Sequence, residues 1–149
     1  MNLSDTIAMV LKEKGQNIWS LDPEALVYDA IEMMANKHVG ALLVTSDGKL
    51  VGIISERDYA RKVILQERSS KQTQVKEIMT SSLIVVRPDQ TVEDCMRLMT
   101  ENRIRHLPVV ENEKVLGVVS IGDLVKWVVS AQAETIHQLQ HYIAGGYPG

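Results

Sequence analysis

The chain of 149 residues contains no phenylalanine, and aromatic residues make up only 4% of it. A core without large rings has to be filled by Val, Ile, Leu, Met and Ala, and 45% of the residues are hydrophobic. Cysteine is almost absent too. The single Cys95 excludes an intrachain disulfide framework and any Cys-x-x-Cys zinc or redox site. Basic charge is scarce: a net charge of −3 provides no positive field of the kind that meets a nucleic-acid backbone. No apolar run approaches the roughly 18 residues of a membrane span. The start, MNLSDTIAMVLKEKG, mixes acidic and basic groups where a signal peptide would have a basic end and a continuous apolar stretch. These absences point to a cytoplasmic protein that neither binds nucleic acid nor enters a membrane. Its length suffices for one well-buried core or two small ones packed together.

What is present is one unit written twice. Shifted by 65 residues, the chain aligns with itself without a gap, matching Pro23 with Pro88, Val27 with Val92, Leu42 with Leu107 and Gly52 with Gly117. Eleven of the 41 positions from 23 to 63 are identical, and many others are conservative. A repeat of this kind has to be recognised before any single motif is interpreted. Each copy begins with a short apolar stretch and a proline, followed by a helical pattern over about 24–36 and 89–102. In the second helix Val92, Cys95, Met96 and Met99 share one face, and Cys95 reads as a buried, inert thiol. A strand, a turn and a second strand follow. The first turn, Ser-Asp-Gly-Lys, supplies the positive φ angles of a tight hairpin. A closing helix is expected at about 56–67 and again from 121 onward.

The pattern predicts an α+β chain of two β-α-β-β-α repeats, with a helix before them and a long helix after. The expected divisions are an N-terminal helix over 1–15, a first repeat over 16–67, a polar connection over 68–74, a second repeat over 75–130 and a helical extension over 131–149. A 60-residue unit is marginal alone, so the two repeats are expected to pack together. In the terminal helix Val125, Val129, Ile136, Leu139 and Ile143 form an apolar stripe. It either lies on its own domain or makes a seam with a second subunit.

The junction between the last strand and the closing helix reads GIISERD at 52–58 and GVVSIGD at 117–123. Ser55 and Ser120 are placed as helix N-caps, and Asp58 and Asp123 fall in the first turn, where a carboxylate is favoured. A Ser-x-x-Asp pair can be a capping box and nothing more. Gly52 and Gly117, however, lie inside apolar strands, where glycine is costly unless another backbone or a ligand approaches closely. A hydroxyl and a carboxylate at one helix mouth can also hold vicinal hydroxyls.

The duplicated β-α-β-β-α unit with Gly-h-h-Ser-x-x-Asp at its last junction resembles the cystathionine-β-synthase (CBS) domain, and the tandem resembles a Bateman module. The resemblance covers about residues 16–130. It implies two units packed as a pseudo-twofold pair with nucleotide sites in the clefts between them. By the same resemblance Asp58 and Asp123 would hold ribose hydroxyls, assisted by Ser55 and Ser120. Arg105 and His106 stand where the family often has phosphate-binding basic residues, whereas the first copy has Gly40 and Ala41 there. The bland alternative makes Arg105 a solvated charge and His106 a core imidazole. Arg57 and Lys126 are further phosphate candidates, with surface charge as the alternative. Ile18, Trp19, Gly40, Ala41, Thr80, Ile84 and Pro108 are candidates for the base side or the cleft, where Gly40 and Ala41 would leave room for the bulkier part of a ligand.

On the terminal helix Glu134, His137 and His141 have metal-ligand spacing, but no fourth ligand is evident and a surface reading prevails. There is no phosphate loop, nucleophile elbow or acid–base set, so no enzyme is expected and no metal. The expectation is a homodimeric sensor of adenine nucleotides (AMP, ADP, ATP or an NAD-type dinucleotide) that acts on a separate partner protein. The rival is a dimeric interaction scaffold that binds no ligand.

Overall fold

The computed structural model describes residues 2–15 and 17–141, the side chains of 131–139 and of 141 excepted. The chain forms two compact units. One spans Asn17–Ile84; the other joins the N-terminal segment to the chain from Val85 onward.

In the first unit β1 (Ser20–Leu21) runs parallel to β2 (Ala41–Ser46), which pairs antiparallel with β3 (Lys49–Ser55). Helix α2 (Val27–Lys37) connects β1 to β2 and buries Val27, Ala30 and Met34 against Leu42, Val44 and Ile54. The β2–β3 turn places Asp47 and Gly48 at positive φ, as expected of a two-residue hairpin loop. The expected closing helix is shorter and looser than its pattern suggests. A single turn, α3 (Glu56–Tyr59), widens into a π-helical turn over Ala60–Ile64.

The second unit repeats this plan. β4 (His106–Glu111) and β5 (Lys114–Ser120) form a hairpin with the same register and a bulge at the equivalent place. Val86 adds one parallel bridge to Val109 in place of the third strand. Its turn residues Asn112 and Glu113 adopt the left-handed pair without any glycine. Helix α5 (Val92–Asn102) carries Cys95 into the core, and burial, seconded by the nearby Asp94 charge, pushes its thiol up to about 12. Helix α6 (Ile121–His141) buries Leu124 and Trp127 and leaves Val125 and Val129 46% and 55% exposed. Of the other stripe positions, the side chains of Ile136 and Leu139 and all of Ile143 lie outside the described residues. So do the side chains of the Glu134, His137 and His141 set.

The connection after the first repeat does not run free over the surface. Neither Leu26 nor any nearby side chain caps α2. Instead the carbonyls of Thr73 and Ser70 accept from the amides of Val27 and Tyr28, while Val75 and Lys76 donate to Ala25 and Pro23. Helix α4 (Val75–Ile78) then adds Val75 and Ile78 to the core.

The N-terminal segment does the same for the second repeat. Asp5 and Leu3 accept from Val92 and Glu93, and Ile7 and Ala8 donate to Gln90 and Pro88. Helix α1 (Ile7–Lys14) buries Ile7, Val10 and Leu11 in that unit. The helix that the sequence sets apart as a separate element is therefore the counterpart of α4. Each repeat is completed by the segment that precedes the other one in the chain.

Candidate functional site

Both strand-to-helix junctions are built alike. Ala41 pairs with Ser55 and His106 with Ser120 at the last rung of their ladders. The carbonyls of Gly40 and Arg105 accept from Glu56 and Ile121, the first residues of the following helices. Gly40, Ala41, Arg105 and His106 are thereby brought to the mouths that hold the two motifs.

At the first mouth Ser55 and Asp58 form a complete capping box. The amide of Asp58 donates to Ser55 Oγ at 3.2 Å, and Asp58 Oδ2 accepts from the Ser55 amide at 3.0 Å and its hydroxyl at 3.1 Å. Asp58 Oδ1 accepts from Thr80 Oγ1 at 3.4 Å and lies 3.1 Å from Lys62 Nζ. Lys62 also donates to the carbonyl of Ile78. Asp58 is only 8% exposed, and both of its oxygens are engaged.

The second mouth is more open. Asp123 Oδ2 accepts from the Ser120 amide at 2.8 Å, and the Asp123 amide donates to Ser120 Oγ at 3.1 Å. Its second partner comes from α1: Lys14 Nζ donates to Asp123 Oδ2 and to the carbonyl of Val118, both at 2.7 Å. The Asp123 side chain is 23% exposed. Beside it lies a cavity of about 200 Å³ whose polar lining is Glu13, Lys14, Asp123, Lys126 and Ser130. That is smaller than the roughly 300–1,000 Å³ usual for a drug-sized ligand. The pKa of His106 is lowered from the ordinary histidine value: burial is the main cause, the Lys14 and Arg105 charges add to it, and Asp123 opposes them.

Glycine at the motif's first position answers to the chain itself. A Cβ on Gly52 would lie 2.6 Å from Met79 Sδ and 3.1 Å from the carbonyl of Thr80. One on Gly117 would lie 3.0 Å from Leu11 Cδ2. The close approach expected at these glycines is made by the docked segments.

The remaining candidates are placed less uniformly. Thr80 pairs with Ile53 and touches the Asp58 carboxylate directly. Trp19 packs against the first core, with the Lys37 ammonium 4.5 Å over its ring. Pro108 is buried in β4 opposite Val118. Arg57 and Lys126 are exposed beside the two aspartates. Among the described contacts, none joins Ile18 or Ile84 to Asp58. Sequence reasoning missed Lys14 and Lys62. Lys62 had a signal, since it stands four residues after Asp58 on one helix face; Lys14 is 109 residues from Asp123 and had none. Among the described residues no group of three His, Cys, Asp or Glu could hold a metal ion, and no helix is long and apolar enough to cross a membrane.

The family model described as "CBS domain" matches residues 15–65 and 75–130. The CBS domain-containing protein CBSX3, mitochondrial, of Arabidopsis thaliana is 47% identical over 97% of this chain and 74% of its own length. A solved protein with CBS domains from Burkholderia ambifaria MC40-6 superposes with a TM-score of 0.83 at 52% identity, covering 86% of this chain and 96% of that one. The CBS domain pair of protein MJ0100, solved with 5′-methylthioadenosine and S-adenosyl-L-methionine, shares the fold at a TM-score of 0.76 and 23% identity, over 85% of this chain and 98% of its own.

Proposed function

Because the chain belongs to the CBS-domain family, as a tandem pair of regulatory and non-catalytic modules, we propose that it is an adenine-nucleotide sensor acting on a separate partner protein. The observation that carries this reading is the second mouth. Ser120 and Asp123 stand there with a partly exposed carboxylate beside His106, Arg105 and a small polar cavity. A carboxylate in that position accepts from the vicinal hydroxyls of a ribose, and Arg105 and Lys126 supply positive charge for phosphate. AMP, ADP and ATP are the first ligands to test, with NAD as the dinucleotide. MJ0100 supports an adenosyl ligand by fold likeness alone. The setting proposed is a cytoplasmic homodimer, with the exposed Val125 and Val129 of α6 as its seam. Ligand binding shifts the module only by its differential affinity for two arrangements, and that difference is what a partner would read.

A second reading has its own support. Both motifs are complete hydrogen-bonded caps, and at Asp58 no carboxylate oxygen lacks a partner. This favours a scaffold in which the motifs only start helices. Thermal denaturation with millimolar AMP, ATP, NAD, S-adenosylmethionine and 5′-methylthioadenosine separates the two. A ligand that binds the folded state at 100 times its Kd adds about 2.7 kcal/mol, or a rise of about 5–11 °C in Tm for a chain of this size. The sensor reading expects such a rise with at least one of these ligands, and its loss in Asp123→Ala. A flat response to the whole panel favours the scaffold.

A further inference from the structure

The two docked segments are equivalent up to a point and then diverge. Thr73, Val75, Lys76 and Met79 do in the first unit what Asp5, Ile7, Ala8 and Leu11 do in the second, a constant offset of 68 residues. The parallel pairings that follow, at Leu21 in β1 and at the Val86 bridge, are 65 apart. Three extra residues therefore lie between Leu11 and Leu21, and α1 uses them to run on to Lys14 where α4 stops at Ile78. The extension changes what meets the carboxylate. Asp58 receives the neutral hydroxyl of Thr80 from the docked segment; Asp123 receives the ammonium of Lys14, which also holds the carbonyl of Val118.

Resting on the ribose role given above to Asp123, we propose that Lys14 is the specificity-determining residue of the second mouth. The ammonium holds Oδ2, an oxygen that a ribose diol would engage. A neutral nucleoside whose diol spans both carboxylate oxygens has to displace that ammonium from Oδ2 and gives it no anion in return. A nucleotide displaces it equally but offers its phosphate, which a flexible lysine chain can follow. Lys14 therefore penalises ligands that carry only the diol and spares those that also carry phosphate. The Lys14 side chain is 37% exposed and Ile7, Val10 and Leu11 are the buried residues of α1, so replacing Lys14 leaves their contacts intact.

The test compares adenosine with AMP by calorimetric titration of the full chain and of Lys14→Met and Lys14→Arg. Removing a partly exposed ion pair should tighten adenosine about two- to fivefold. AMP should gain nothing or weaken, so that the preference for AMP shrinks, whereas Lys14→Arg should keep it. In an Asp123→Asn background the Lys14→Met effect on adenosine should vanish, as a coupled pair requires. A lysine that merely sat near the phosphate would weaken AMP and leave adenosine unchanged; that result overturns the proposal, as does an equal change for both ligands. If neither ligand binds any of these chains, this inference fails, whereas the sensor reading fails only if the whole thermal-denaturation panel is flat as well. If both bind and their ratio ignores Lys14, only the inference falls.

Discussion

At the scale of the residue, the two aspartates show how one motif can be put to unequal use. Asp58 is buried and its four contacts leave it little to offer a ligand; Asp123 has solvent at its side and a displaceable cation. The difference was not legible in GIISERD and GVVSIGD, because the deciding groups, Thr80 and Lys14, come from segments outside the motif. His106, by contrast, stands in the sequence where the first copy has Ala41, and it reads there either as a phosphate-binding basic residue or as a core imidazole. Its lowered pKa is mainly a consequence of burial. Since the unfolded chain then binds the proton more readily than the folded one, stability is full above the ordinary histidine value of about 6.5 and falls as pH drops toward the depressed folded value. Tm measured calorimetrically should therefore decline between about pH 7 and pH 5.5, and His106→Gln should flatten that slope. Carboxylates such as Asp94, whose pKa is lowered chiefly by the Thr91 amide, act only in a more acidic window. An unchanged slope in the variant would mean that His106 ionises freely in the folded protein.

At the scale of the element, the repeat made most of the fold readable. Apolar periodicity located α2 and α5, and Asp-Gly marked the first hairpin turn. The docked segments escaped notice because their equivalence runs at 68 residues while the repeat runs at 65, and their matching residues share hydrogen-bonding position more than identity. Glycine in β3 and β5 signalled a close approach without saying what makes it, and it marks where those segments press on the strands. The two sites are not equally tight. Gly52→Ala drives a methyl against Met79 Sδ and against the carbonyl of Thr80, a residue tied to Ile53 by two backbone hydrogen bonds, one through its carbonyl and one through its amide. Gly117→Ala meets only the end of the Leu11 side chain. Overpacking of this kind costs about 1–3 kcal/mol where the neighbour cannot yield. Gly52→Ala should lower Tm by several degrees and Gly117→Ala by clearly less, as denaturation curves of the two variants would report; equal losses would mean that the Thr80 backbone moves aside freely.

At the scale of the whole molecule, the unit of sequence and the unit of space are not the same. The family model begins its two matches at residues 15 and 75, which leaves residues 3–14 outside both. They are not trimmings. Ile7, Val10 and Leu11 are almost wholly buried in the second-repeat unit, Trp127 Nε1 donates to Asp5 Oδ2 at 3.0 Å, and the first turn of α5 is satisfied by Leu3 and Asp5. Losing one large buried side chain costs about 2–5 kcal/mol, against a total stability of about 5–15. Deletion of residues 2–15 should accordingly abolish cooperative melting of the second-repeat unit, seen as a lost or broadened calorimetric transition; a sharp transition near the original Tm would show the helix to be accessory. The same arrangement sets a timetable for synthesis. Leu11 leaves the ribosome 106 residues ahead of Gly117, the residue it packs on. At about 5–20 residues per second the apolar face of α1 waits roughly 5–20 s for its seat, while Asn17–Ile84 is already complete. Helix α1 is made well before its seat, so for that interval the nascent chain carries an uncovered apolar face that a chaperone is well suited to shield.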